Sequence, residues 1–341
     1  MPFFLSSSAV PDFIERLRDA KIIGRGGAEY PAHLKWTAVK HAKGRYKTVI
    51  ANASEREPDV FKDFHVLHKH LEDVFKGMML AMETVSAFEG IFNLNAEYES
   101  KLKPRFDACI ADAAKNGFKI RLFEEFPSYI GGEETALLNA FEGKRCEPRM
   151  KPPYPTESGY RGRPTLIHNV ETLYDISRVA DGTYDGKRYF AVSGVVPNIG
   201  TYHLPATSTV WEVLESSKNI PAEPFFVQVG GGASGVVLNS DQTKKEVAHG
   251  AAAIIVHLQS EEPRSLILQW LEFYHHESCG KCTPCREGTY QLLRMVEEHQ
   301  EIPWKRMEPI LEVLEQTSFC ALGRSVPVPI RSYFSNVLHG K

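Results

Sequence analysis

No run of apolar residues in the 341-residue sequence approaches the roughly 20 that span a bilayer, so no direct membrane insertion is expected. Neither charge sign is in large excess: 40 Lys and Arg against 43 Asp and Glu leave a formal net charge of −3. That balance supplies no broad basic field for a nucleic-acid backbone and no polybasic membrane anchor. Cysteine is sparse, six residues in all, too few for a disulfide scaffold in a chain this long. The opening MPFFLSSSAVPDFIERL lacks a basic n-region, and its apolar stretch is too short for a signal peptide. No internal repeat and no low-complexity tract is present. What remains is ordinary globular composition, 43% hydrophobic and 24% charged. At roughly 100–200 residues per domain, the length suggests two or three domains.

The cysteines are unevenly placed. Cys279, Cys282 and Cys285 stand at three-residue spacing in ESCGKCTPCR (277–286), and Cys320 follows in SFCALG (318–323). Three thiolates so spaced cannot readily close on one another as disulfides. They can wrap a short loop round one face of a cubane and leave the fourth corner to a distant cysteine, the ligation of a 4Fe–4S cluster. Zinc competes, although structural zinc sites usually use two separate pairs. A reduced, unliganded group is the third reading. Cys109 and Cys146 stand alone and read as core or surface thiols. Cluster assembly needs a reducing compartment, so a cytoplasmic chain is expected.

Periodicity predicts alternating helices and strands through the first half. Residues 9–20 read as a short amphipathic helix, 46–53 and 91–95 as strands, 59–84 and 103–116 as helices, 118–123 as a strand and 133–141 as a helix. Pro104 is expected in the first turn of its helix. The pattern points to an α/β sheet. The Pro-, Gly-, Arg- and Lys-rich stretch 145–168 reads as an extended loop packed over a site. From 188 the pattern turns β-rich, and after Pro263 it is helical to near the end, with the cysteines at helix ends.

A glycine loop, Gly24-Arg25-Gly26-Gly27, follows the first helix. Backbone N–H groups can approach a phosphate where no Cβ intervenes. The order is neither the dinucleotide G-x-G-x-x-G nor the P-loop, and a plain structural turn explains it equally well alone. Its companions strengthen it. Lys35 and Trp36 follow, Asn52, Glu55 and Glu57 stand at a strand's carboxyl end, and Gly132-Glu133-Glu134 opens a helix. Together they read as a nucleotide or flavin pocket. Glu133 and Glu134 could instead complement a helix dipole, and Lys35 could be solvated surface.

At these motifs the chain resembles a known family over nearly its whole length: the NADH-oxidising flavoprotein subunit of respiratory complex I, shared with NAD-linked hydrogenases and formate dehydrogenases. The matching stretches are GRGGAEYPAHLKW (24–36), ANASEREPDVFKD (51–63), PSYIGGEETALLNAFEGKR (127–145), PRMKPPYP (148–155), NVETL (169–173), VSGVVPNIGTYHLP (192–205), ESCGKCTPCREGT (277–289) and SFCALG (318–323). The resemblance implies an α/β fold with a Rossmann-like FMN/NADH-binding domain over 1–180. It further implies a ubiquitin-like, β-grasp SLBB-type domain over 186–260 and a helical 4Fe–4S domain over 262–341. NADH would deliver hydride to FMN, and the cluster on Cys279, Cys282, Cys285 and Cys320 would take electrons onward.

The resemblance also implies site residues. Gly24, Arg25, Gly26, Gly27 and Lys35 match the loop that holds FMN phosphate and ribityl. Asn52, Ser54 and Glu55 match the strand-end flavin positions, and Tyr129, Gly132, Glu133 and Glu134 a second flavin and nucleotide segment. His168, Asn169 and Thr172 match the flavin-contacting turn, Lys151 a nearby basic position, and Tyr30 and Tyr154 the aromatic residues flanking the dinucleotide. No catalytic acid or base is expected, because hydride transfer depends on stacking and distance. The implied partners are NADH, a thioredoxin-like 2Fe–2S subunit and a larger iron–sulfur subunit, in a cytoplasmic complex or one peripheral to a membrane.

The sequence departs from the family at several of these positions. Ser54 replaces an Asp, Arg56 a small residue, Glu29 a Gly and His168 an Asn. Three readings stay open: drift, a preference for NADPH with Arg56 meeting the 2′-phosphate, and a cluster-bearing relay or scaffold that has lost NADH binding.

Overall fold

The computed structural model describes residues 12–124 and 127–338. The opening segment, including the first residues of the 9–20 helix, lies outside them. The described residues group into two compact units. The first runs to Glu55 and adds Lys62–Pro127 and Gly131–Lys187; the second takes Arg56–Phe61, Ser128–Ile130 and the chain from Arg188.

The first unit begins with helices α1 (Phe13–Asp19) and α2 (Ala32–His41). It continues through β1 (Thr48–Ala53), α3 (Lys62–Val85), β2 (Glu89–Leu94), α4 (Ala96–Lys115) and β3 (Ile120–Glu124). Helices α5 (Glu134–Phe141) and α6 (Pro155–Ser158) follow, then β4 (Thr165–Asn169) and α7 (Val170–Asp181). Its sheet has the order β3-β2-β1-β4 and is parallel throughout. Every residue of β2 is buried, as are five of the six in β1, the signature of a parallel sheet covered on both faces. Chain order runs outward from β1 through β2 to β3, and β4 pairs on the other side of β1. The carboxyl ends of β1 and β4 therefore flank a topological switch point, where open α/β sheets bind ligands.

Helix α3 packs directly on α7. A Cβ at Gly77 would fall 2.0 Å from the Leu173 carbonyl oxygen, so only glycine permits this approach.

Two sequence expectations change here. The stretch 145–168 is not one extended loop, because it contains α6 and nearly all of β4. Helix α4 starts at Ala96, capped by Asn95, so Pro104 lies inside it instead of in its first turn.

The second unit carries a five-stranded sheet in the order β6-β5-β9-β7-β8. Its strands are β5 (Lys187–Gly194), β6 (Gly200–Pro205), β7 (Phe225–Val229), β8 (Val236–Asn239) and β9 (Ala253–Leu258). Strands β5 and β9 are parallel, while β7 is antiparallel to both β8 and β9. Helix α8 (Val210–Ser216) packs Val210, Val213 and Leu214 into the core formed with Phe190, Val192, Val227 and Val256. Helices α9 (Pro263–Glu277), α10 (Thr283–Glu298), α11 (Trp304–Thr317), α12 (Ala321–Ser325) and α13 (Pro327–Tyr333) complete it. Among the described residues, no helix is long and apolar enough to cross a membrane.

Candidate functional site

Three asparagines stand in register at the carboxyl end of the first sheet: Asn93 on β2, Asn52 on β1 and Asn169 on β4. Asn93 Nδ2 donates to Asn52 Oδ1 at 3.1 Å, and Asn52 Nδ2 donates to the Gly132 carbonyl at 3.1 Å. The Gly132 segment is thereby fixed over the strand ends. The glycine loop reaches the same place from the other side, since a Cβ at Gly26 would lie 3.2 Å from Asn169 Cβ. Gly27 has φ +108°, open to glycine and costly for other residues. The Arg25 backbone N–H donates to Thr172 Oγ1 at 2.9 Å and ties the loop to the first turn of α7.

The side chains of this pocket divide into committed and uncommitted groups. The Arg25 guanidinium points inward, 3.1 Å from Asp175 Oδ2 and 3.3 Å from the Tyr184 hydroxyl. His168 is buried and accepts from Trp36 Nε1 at 2.8 Å; burial, and then Lys35, hold it down to about 3. Glu55 caps α3, accepting from the backbone N–H groups of Asp63 and Phe64 and from the Tyr98 hydroxyl. Burial and the neighbouring Asp63 push Glu55 up to about 8 against the pull of Lys62.

Glu133 caps α5 through the Thr135 and Ala136 N–H groups. It also accepts from Lys151, which reaches Glu134 at 3.1 Å. Lys35 donates to Glu134 at 3.3 Å and to the Ile167 carbonyl at 3.1 Å. The two ammoniums hold Glu134 below the usual carboxylate range despite its burial. Tyr30 and Tyr154 are exposed, at 52% and 53%. Tyr129 groups with the second unit, where its hydroxyl donates to Glu57 Oε2 at 2.5 Å and its N–H to Glu277 Oε2 at 2.8 Å.

The pocket suits a group rich in hydroxyls with an anionic end. Ser54 Oγ and Asn93 Oδ1 are buried without a hydrogen-bond partner in the protein. Such orphans cost stability unless a ligand satisfies them. The Arg25 and Gly24 N–H groups are spent on Thr172 and the Tyr30 carbonyl, which leaves the Gly26 and Gly27 N–H groups and Lys35 as donors for a phosphate. The residues present therefore fit FMN.

In the second unit, the four cysteines lie at or beside helix termini. Cys279 follows α9, Cys282 caps α10, Cys285 lies in its first turn and Cys320 caps α12. All four are free. Burial raises the Cys285 thiol to about 11, with Cys282, Cys320 and Cys279 adding to the rise, so the other three lie within electrostatic reach of Cys285. Among the described residues, no three His, Cys, Asp or Glu side chains converge on a single ion. Three closely spaced thiols with a fourth from a distant helix start are an all-cysteine donor set that fits the four-thiolate ligation of a 4Fe–4S cluster.

Sequence reasoning passed over Asn93, Lys62, Asp63 and Glu171 as site residues. Register with Asn52 was the only signal for Asn93, and it needs the sheet order.

The arrangement defines an oxidoreductase subunit with FMN in its first half and an iron–sulfur cluster near its end. Comparison with known proteins agrees. Residues 17–178 match the Nuo51 FMN-binding domain, and residues 265–337 match the NADH-ubiquinone oxidoreductase-F iron-sulfur binding region. The chain is 30% identical to an F-type subunit of NADH-quinone oxidoreductase in Rhizobium meliloti, covering 94% of this chain and 86% of that protein. It is 32% identical to the NAD-reducing hydrogenase HoxS subunit alpha of Cupriavidus necator, over 93% of this chain but 58% of that one. A crystal structure of an NAD+-reducing NiFe hydrogenase in the H2-reduced state superposes with a TM-score of 0.89 at 30% identity. The match covers 95% of this chain and 61% of that one. The chain belongs to the family of F-type NADH-quinone oxidoreductase subunits, and its cofactors are FMN and a 4Fe–4S cluster.

Proposed function

We propose that the chain is the NADH-oxidising subunit of a complex I-like or hydrogenase-like assembly, acting as an NADH:acceptor dehydrogenase. FMN supplies the hydride acceptor and the conversion of one two-electron donor into single-electron steps. The protein's part is binding and orientation. The glycine loop and Lys35 would hold the phosphate; Asn52, Ser54, Asn169 and Thr172 would hold the ribityl and ring edge. Tyr30 and Tyr154 offer exposed rings for stacking on the dinucleotide. Lys151, Glu133 and Glu134 form a polar wall for its ribose hydroxyls. Cys279, Cys282, Cys285 and Cys320 would ligate the cluster.

The observation that carries this reading is the pair of orphaned buried atoms, Ser54 Oγ and Asn93 Oδ1, at a topological switch point in a chain that also carries the four-cysteine set. With it go a division at 1–180, 186–260 and 262–341, a β-grasp reading of the middle segment, and a cytoplasmic location. A thioredoxin-like 2Fe–2S subunit and a larger iron–sulfur subunit are the partners that would carry electrons away.

The test is anaerobic stopped-flow of the FMN-reconstituted protein with NADH and then NADPH, watching the flavin bleach. Rapid bleaching by NADH alone supports the reading. Bleaching by NADPH alone replaces it with an NADPH-specific variant. No bleaching by either, with FMN and cluster both present, replaces it with an electron relay.

A further inference from the structure

The flavin pocket rests on a buried charge network that hydride transfer does not itself use. Lys62 and Asp63 open α3 at 2% and 3% exposure, and Glu171, fully buried, lies in the first turn of α7. The Lys62 ammonium lies 2.5 Å from Asp63 Oδ1 and 3.1 Å from Glu171 Oε2. Asp63 Oδ2 accepts from Asn169 Nδ2 at 2.6 Å. The Asp63 backbone N–H donates to both Glu55 oxygens, at 2.9 and 3.0 Å. Residue 63 thus holds two pocket side chains, Asn169 through its carboxylate and Glu55 through its backbone. Tyr98 of α4 donates to Glu55, and the Arg25 guanidinium, which also feels Glu171, is paired with Asp175 and Tyr184, so the Arg25–Asp175 pair adds no net charge.

One ammonium here faces three carboxylates, Asp63, Glu171 and Glu55. The network is net negative even if one carboxyl keeps a proton. Burying such ions carries a large desolvation penalty, and apolar residues of similar volume often serve stability as well or better. Stability alone therefore gives little reason for Lys62, whereas buried charge beside a redox cofactor has an electrical effect.

We propose that Lys62 is a positioning residue that sets the reduction potential of the bound flavin, its ammonium offsetting the carboxylates of Asp63, Glu171 and Glu55 behind Asn169. Accepting a hydride adds two electrons and one proton to the flavin ring, which gains one negative charge. A net negative network disfavours that charge, and Lys62 relieves part of the repulsion. The inference rests on FMN binding in this pocket and not on which nucleotide is the donor.

The test is a spectroelectrochemical titration of the FMN-loaded protein with a chemical reductant and mediators, in the absence of nucleotide. Lys62→Met is expected to disfavour reduced over oxidised flavin at least about tenfold more than the wild type, a potential lower by about 30 mV for a two-electron couple. Lys62→Arg, which keeps the charge, is expected to restore most of the shift. Glu171→Gln removes a negative charge and is expected to raise the potential; it serves as the test where Lys62→Met fails to fold. An unchanged potential in Lys62→Met, or an unchanged or lower one in Glu171→Gln, overturns the proposal and leaves the network as scaffold. Because no NADH is added, its failure to bleach the flavin would defeat the functional reading without touching this result.

Discussion

His168 makes the stability of the chain depend on pH in a calculable way. Its Nε2 accepts from Trp36 Nε1 at 2.8 Å, so that nitrogen needs a free lone pair and the buried ring is neutral. Protonation would break the bond and place a second cation near Lys35, which is why the folded ring resists charging down to about 3. In the unfolded chain the same ring charges near its ordinary 6.5. Between these values the unfolded state binds the extra proton, so stability is present above about 6.5 and falls as pH falls. Each pH unit inside that window costs about 1.4 kcal/mol. Going from pH 7.5 to 5.5 crosses about one unit of it, so this group should remove about 1.4 kcal/mol. The assay is urea unfolding at both pH values for the wild type and His168→Asn. Other titrating groups act in both proteins and cancel in the comparison. The wild type should lose about 1.4 kcal/mol more than the variant on acidification. Equal losses would refute the reasoning.

Ser54→Ala removes a hydroxyl that has no partner in the protein, so it should weaken FMN binding about tenfold, measured by flavin fluorescence, while leaving the melting temperature of the flavin-free chain unchanged or higher. Gly77→Ala would drive a methyl into the Leu173 carbonyl and force α3 from α7; a loss of about 1–3 kcal/mol or more is expected in denaturant unfolding. Asp175→Ala removes the ion-pair partner of the buried Arg25 guanidinium, leaving it the Tyr184 hydroxyl, and should cost about 3–5 kcal/mol, part of which the double variant with Arg25→Met regains.

Much of this architecture was legible before the structure. Strand β1 announced itself by a run of apolar and β-branched residues, and three-residue cysteine spacing pointed to the cluster. Strand β4 did not, because TLIHN is short, follows a Pro- and Arg-rich stretch and ends in polar residues. It is a strand because β1 offers its free edge, a tertiary cause that no local pattern carries. Helix α4 was read too short because Pro104 resembles a helix start, whereas the Asn95 cap lies eight residues before the first expected position, 103. At the site, the glycine loop and strand-end residues converge on one pocket. Arg25, however, spends its guanidinium on Asp175, and Tyr129 sits with Glu57 and Glu277. The network round Lys62 was invisible because a lysine at a helix start ordinarily reads as solvated surface.

The most direct test of the central claim is to mix the reconstituted protein anaerobically with NADH, freeze-quench it and record the EPR spectrum of the iron–sulfur cluster. The account predicts that the flavin bleaches and a reduced-cluster signal appears in the wild type, and that Cys285→Ser gives the bleaching without the signal. A flavin that stays oxidised while the cluster stays EPR-silent would contradict it.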